Sequence, residues 1–220
     1  MRFHNGNTSN PPALQNFTAP NLPALNDTFQ IRTMKEWDEE IDPSFSQIAG
    51  FRQRFHVVNT WPSLEAMNIV HDTYYGLMNR TLFGKLGDVW IGGLTPMPIS
   101  KQFFKASKVN GGDPMGIDPV DGPQIWYEIN LSFANKQEYD DVATEFLDAF
   151  EVELEKNLSA AGIKRGKYLY LNDSDKGQPV FEGYPMSNVQ RLQAIRQKYD
   201  PDRVFTDLMP GGWKVADVAL

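Results

Sequence analysis

Apolar residues recur with two clear periods between Gly50 and Tyr199, and with neither period in the residues before them. Phe51 to Val58 alternates as a strand, with Phe51, Phe55 and Val57 on one side and Arg52, Arg54 and His56 on the other. Pro62 opens a helix in which Leu64, Met67, Val70, Tyr74 and Leu77 return at helical spacing. Asp88 to Leu94 reads as a second strand, ended by Gly92-Gly93 and Pro96. Lys101 to Lys108 makes a short helix, followed by a Gly/Asp/Pro-rich loop from Asn110 to Pro123. Gln124 to Phe133 has the clearest alternation, with Ile125, Tyr127, Ile129, Leu131 and Phe133 set against Trp126, Glu128, Asn130 and Ser132. A long helix is expected next, capped by Asn135 with Glu138 three residues on. It carries a stripe of Tyr139, Val142, Phe146, Phe150 and Leu154, and ends near Gly162. Lys167 to Asn172 predicts a fourth strand. Ser187 and Gln190 cap a last helix, whose stripe of Val189, Leu192, Ile195 and Tyr199 is stopped by Asp200-Pro201.

The order β-α-β, loop, β-α-β, helix matches the split βαβ arrangement. The expectation is an α+β, ferredoxin-like antiparallel sheet with both long helices on one face and an extra C-terminal helix. Residues 1–49 are expected to form an irregular N-terminal segment, with one short helix from Met34 to Glu40 stopped at Asp42-Pro43, and 50–220 the main domain. If the apolar alternates face the helices, the other face gathers Arg54, His56, Trp126, Glu128, Asn130, Tyr168, Tyr170 and Asn172, with Trp90 from the second strand. Aromatic bodies with polar tips suit a ligand pocket or an interface. The same face can equally be core beneath the first 49 residues. A bare patch of this size would exceed what monomers usually expose, so cover from the N-terminal segment or from a homodimer partner is expected.

Composition removes whole classes of function. The formal net charge is −7, from 21 Lys+Arg against 28 Asp+Glu, which lacks the field that concentrates phosphate backbones, so no nucleic-acid partner is expected. No apolar run nears the roughly 20 residues that span a bilayer. With no cysteine, disulfides, thiolate metal sites and cysteine nucleophiles are absent, and three histidines leave little for a histidine metal site. Asn-x-Ser/Thr occurs seven times, where random placement predicts roughly one or two. This points to the secretory pathway, with Asn16, Asn26, Asn79 and Asn157 as glycosylation sites.

The residues then become recognisable. Gly50-Phe51-Arg52, Gly111-Gly112-Asp113-Pro114-Met115-Gly116-Ile117, Asp121-Gly122-Pro123 and Tyr170-Leu171-Asn172 come first. Asn188-Val189-Gln190-Arg191-Leu192, Lys198-Tyr199-Asp200-Pro201 and Pro210-Gly211-Gly212-Trp213-Lys214 follow in the same order. From Gly50 to Lys214 the chain resembles the substrate-binding and C-terminal parts of berberine bridge enzyme-like FAD-linked oxidases of the fungal secondary-metabolism type. The resemblance implies substrate on the sheet face that a flavin would oppose. In that family FAD is held mainly by a separate N-terminal domain, whose glycine-rich diphosphate loop precedes the region matched here. The pairs Gly92-Gly93, Gly111-Gly112 and Gly211-Gly212 read as turns, so no bound flavin is expected. The family's Tyr-x-Asn-Tyr block ends in Asp173 here. A short natural protein is favoured over an oxidase fragment, since the chain opens with Met and runs past the Gly-Gly-aromatic-Lys ending.

Without flavin, acid/base chemistry and positioning remain. Arg54, His56, Glu128, Tyr168 and Tyr170 are the candidate catalytic residues; Trp90, Trp126, Asn130 and Asn172 are candidates for substrate binding. Each has a structural alternative: a satisfied histidine, an ion pair of Glu128 with Arg54 or Arg52, tyrosines in the core. The expected function is a cofactor-independent cyclase or cycloaddition enzyme for a small, apolar or aromatic, unsaturated metabolite, steered by near-attack positioning. A non-catalytic binding or partner protein, or the substrate domain of an FAD-dependent oxidoreductase, is the alternative.

Overall fold

The computed structural model describes residues 4–17, 27–88, 90–109 and 111–218. The chain separates into two units, Met1–Ala49 and Gly50–Leu220. In the first, Pro12–Phe17 forms a short 3-10 turn and α1 spans Met34–Ser46. Thr33 starts α1 with a reciprocal capping box: its hydroxyl accepts from the Glu36 amide at 3.2 Å, and the Glu36 carboxylate accepts from the Thr33 amide at 2.7 Å. The helix continues through Pro43 to Ser46, beyond the expected stop. A proline near the last turn removes one backbone donor, and here the chain tolerates that loss.

The second unit is α+β. Its elements are β1 (Arg52–Thr60), α2 (Leu64–Thr81), β2 (Trp90–Ile99), α3 (Lys101–Val109), β3 (Gln124–Phe133), α4 (Gln137–Ala160), α5 (Met186–Tyr199) and α6 (Val204–Asp207). The three strands form one antiparallel sheet in the order β1-β3-β2. β2 runs through Gly92-Gly93 to Ile99 rather than stopping there. It is an edge strand, and Pro96 and Pro98 share one parity, so their missing amides both fall on the unpaired side.

α2 and α4 cover one face. Val70, Tyr74 and Leu77 meet Phe146, Phe150 and Leu154 over Val58, Tyr127, Ile129 and Leu131. Each such side chain contributes roughly 1.5–3 kcal/mol by leaving water. Ser63 caps α2 by accepting from the Ala66 amide at 2.9 Å. Asn135 does not cap α4. Its side-chain oxygen instead accepts from Arg52 Nε at 2.8 Å, and the helix starts from Lys136 without a side-chain cap. α5 likewise starts two residues earlier than a Ser187 cap would place it, from Pro185.

The expected fourth strand does not form. Residues 165–170 run extended beside β1 and touch it by a single bridge, Thr60 to Arg165. The β1 edge is satisfied by other means. The Gly166 amide donates to the Asn59 carbonyl at 2.9 Å. The side chain of Gln178 replaces a strand: its oxygen accepts from the Val57 amide at 2.9 Å and its nitrogen donates to the Val57 carbonyl at 2.8 Å. Two orphaned backbone groups are met by one amide side chain, so the ladder has no need to continue.

The second face is not bare. α3, residues 113–117 and the segment around Tyr168 to Tyr184 lie over it, and Phe104, Ile117, Trp126 and Tyr168 form a second buried cluster with Met97, Ile99, Met115, Tyr170 and Tyr184 against it. Cover was anticipated from the N-terminal segment or a second copy, and segments of this same unit lie over the face. No helix among the described residues is long and apolar enough to cross a membrane.

Candidate functional site

The register divides the expected site between the two faces. Arg54 pairs with Leu131 and His56 with Ile129, so both point at the helices and not at the aromatic side. Trp90, opposite Phe133, also lies on the helix face, where its ring meets Phe83 edge-on at 5.5 Å. Phe55 and Val57 take the other side, and Phe55 remains 36% exposed. The apolar alternation of β1 therefore gave the wrong face.

The physical reason lies on α4, which presents a polar strip to β1. Arg54, 8% exposed, donates through Nε and Nη2 to both oxygens of Asp175, at 3.2 and 2.6 Å. Its Nη1 donates to Asp140 at 3.0 Å and to Thr144 at 2.9 Å. Such a fork matches carboxylate geometry and needs both acids when buried. His56, 3% exposed, meets Glu151 through Nε2 at 2.6 Å, and Arg165 binds the same carboxylate. Burial opposes the Glu151 charge, but the His56 and Arg165 hydrogen bonds outweigh it and hold the pKa at about 2. Around this network a cleft of about 470 Å³ opens between α4 and residues 165–183. Asp140, Thr144, Glu151 and Glu155 recur along one side of α4, and that spacing was the available signal.

The aromatic face keeps the other candidates together. Trp126 is 6% exposed, its Nε1 donating to Gln124 at 2.9 Å. Tyr168 lies with its ring centroid 4.7 Å from Trp126, and Tyr170 stacks on it at 5.3 Å. Asn172 Nδ2 donates to the Tyr170 hydroxyl at 2.8 Å, leaving that hydroxyl free to donate. Glu128 follows Trp126 on the same side of β3 and accepts from Asn130 Nδ2 at 3.1 Å. The expected ion pair of Glu128 with Arg54 or Arg52 is replaced, since Arg54 is committed to Asp140 and Asp175 and Arg52 to Asp140. Asp173 takes the place of the family's tyrosine, in a 3-10 turn from Leu171 to Asp173. Burial first, and the nearby Glu128 charge second, push its carboxyl above the usual range. The sequence marks Asp173 only as a departure from the family pattern, and the structure brings it near the candidate residue Glu128.

Of the glycosylation candidates, Asn16 and Asn79 are exposed, and Asn26 lies outside the described residues. Asn157 is half-buried with its amide donating to Thr73 at 3.0 Å, joining α4 to α2 rather than standing open. Among the described residues no group of three or more His, Asp or Glu could hold a metal.

Residues 169–207 match the family model described as berberine and berberine like. The chain is 34% identical over 122 residues to a bifunctional solanapyrone synthase of Alternaria solani, covering 56% of this chain and 23% of that protein. It is 26% identical over 193 residues to an FAD-dependent monooxygenase of Cochliobolus heterostrophus, 86% of this chain and 36% of that one. An FAD-dependent monooxygenase of Penicillium roqueforti matches at 26% over 218 residues, 97% of this chain and 42% of that one. Over these spans the chain is similar to proteins named as a solanapyrone synthase and FAD-dependent monooxygenases, and residues 169–207 resemble the berberine and berberine-like family. The chain spans less than half the length of these relatives.

The loop glycine pairs do not form a cradle for the diphosphate of FAD. Gly111-Gly112, at φ +98 and +86, follow the C-terminus of α3, and Gly211-Gly212 lead only into a short 3-10 turn. Neither pair opens a helix whose N-terminal amides would cradle phosphate.

Proposed function

We propose that this chain holds a flat, unsaturated secondary metabolite against the aromatic sheet face and positions it for ring closure without drawing on flavin. The observation that carries this reading is the Trp126–Tyr170 stack set beside Glu128, Asn130, Asn172 and Asp173. Aromatic planes fix the orientation of a conjugated substrate, and the amides, hydroxyls and carboxyl groups beside them supply hydrogen bonds and a proton. Bringing two reacting ends into a near-attack geometry lowers a barrier without any redox centre. Arg54 and His56 act in this reading as supports of the scaffold.

A second reading has its own support. Two of the three relatives described above are named FAD-dependent monooxygenases, which favours the same face serving as the substrate side of a flavin enzyme. The two are separated by incubating the gel-filtered chain with conjugated polyene lactones, with and without added FAD, and following products by mass spectrometry. Cyclised isomers of unchanged mass without FAD support ring closure. Products gained only with FAD, at a mass shifted by oxygen or hydrogen, support the second reading and overturn the first.

A further inference from the structure

Two tyrosines of the aromatic face carry hydroxyls that the protein leaves unused. Tyr168 is 7% exposed and Tyr184 half-buried, yet neither hydroxyl has a hydrogen-bond partner among the described residues. Nor is either among the sealed orphans, which are His56 Nδ1, Asn59 Oδ1, Tyr74 Oη and Arg196 Nε. Both oxygens therefore reach accessible space while their rings stay packed. Buried phenols usually find an acceptor, and none of the described residues supplies one here.

The pair is built rigidly from three segments. The rings of Tyr168 and Tyr184 stack with centroids 6.3 Å apart and 26° between planes. Gly183 makes this approach feasible, since a Cβ there would lie 2.3 Å from the Lys167 carbonyl oxygen. The Tyr168 carbonyl is tied down by Asn59 Nδ2 at 3.2 Å. On the other side, Gly116, at φ +69, lets the 113–116 turn press against Pro185, where a Cβ would meet the proline ring at 2.3 Å. That turn is closed by Asp113, which accepts from the Gly116 amide at 2.9 Å and from the Ser107 hydroxyl at 2.7 Å. The Asp113 carboxylate is close enough to act on both phenols, and burial is the larger influence that keeps each of them protonated and able to donate.

We infer that the Tyr168 and Tyr184 hydroxyls are paired donors for the neutral carbonyl oxygen of a conjugated ketone or quinone. The inference rests on the reading that a flat metabolite lies on this face, and it adds which functional group is recognised and which residues recognise it. The negative Asp113 beside them disfavours a carboxylate or phosphate in the same place. Two protonated phenols favour an acceptor over a donor.

Three tricyclic probes of one shape test this on the full chain: 9-fluorenone, which has the carbonyl, fluorene, which lacks it, and fluorene-9-carboxylate, which carries a charge. The ketone is expected to bind roughly 5- to 50-fold more tightly than fluorene, the combined effect of two hydrogen bonds. The carboxylate should bind most weakly, and the fluorenone carbonyl stretch should move to lower frequency on binding. Tyr184→Phe and Tyr168→Phe should each cut the ketone preference by about 2- to 10-fold while leaving fluorene binding unchanged. The stretch needs no variant and stands if a substituted chain fails to fold. Equal binding of ketone and fluorene with an unshifted stretch overturns the donor pair and leaves the aromatic-face reading intact. A ketone preference that survives both substitutions also overturns it. Failure of all three probes to bind overturns the pair together with the reading beneath it.

Discussion

The two faces of the three-stranded sheet use their polar side chains in opposite ways. On the helix face Arg54 is buried and spent on Asp140, Thr144 and Asp175, and His56 is buried and held through Nε2 by Glu151, with its Nδ1 sealed in without a partner among the described residues. On the aromatic face Tyr168 and Tyr184 have no hydrogen-bond partner for their hydroxyls among the described residues, and Glu128 has only the Asn130 amide as its hydrogen-bond partner. A satisfied buried network rigidifies a fold, whereas unspent donors on a rigid aromatic floor are available to a ligand. Of the candidate catalytic residues, Arg54 and His56 thus hold the scaffold, whereas Tyr168, joined by Tyr184, which the sequence reading did not single out, offers a free hydroxyl.

Substitutions that separate support from site sharpen this contrast. The largest effect is expected at Arg54. Removing it in Arg54→Ala leaves Asp175 without its arginine and Asp140 with Arg52 alone, and should cost about 3–5 kcal/mol in urea unfolding. An Arg54→Ala chain as stable as the parent would show that the fork is not structural. Next comes acid. The Glu151 pKa of about 2 lies below its unfolded value near 4.5, so the unfolded chain binds more protons between those values. Its stabilisation is complete above about pH 4.5 and is lost as pH falls through about 2, a change on the order of 3 kcal/mol by linkage. Glu151→Gln should flatten the acid limb of the stability profile, and an unchanged limb would contradict the role given to His56 and Arg165.

Smaller effects test the β1 edge. Gln178→Ala removes the side chain that stands in for a fourth strand and should cost about 1–3 kcal/mol, with faster amide exchange at Val57. The smallest is Tyr170→Phe, whose lost hydroxyl accepts only from the exposed Asn172. Within about 0.5 kcal/mol of the parent in stability, it should weaken metabolite binding if the aromatic face is the site.

Much of the architecture is legible in the sequence, and the departures from it share a cause. The alternation of Gln124 to Phe133 and the stripe from Tyr139 to Leu154 were read correctly because one face of each is continuously apolar. β1 misled because its core face is polar, and it is the acids of α4 together with Asp175, all more than 80 residues away, that make Arg54 and His56 compatible with burial. Tyr168 to Asn172 has the residue types of a strand, but a single side chain, Gln178, has taken the backbone partners that a strand would need. Asn135 reads as a cap until Arg52 claims its oxygen. Pairings of this length leave no local trace. The aromatic cluster was legible as a group, and its division into packed rings and free hydroxyls was not.

A crystal structure of the full chain with 9-fluorenone bound tests the central claim most directly. The account predicts the tricycle against Tyr170 and Tyr184 on the Trp126 side of the sheet, its carbonyl oxygen within hydrogen-bond distance of the Tyr168 and Tyr184 hydroxyls. Ligand found instead in the cleft beside His56, Glu151 and Arg165, with the aromatic face unchanged, would contradict it.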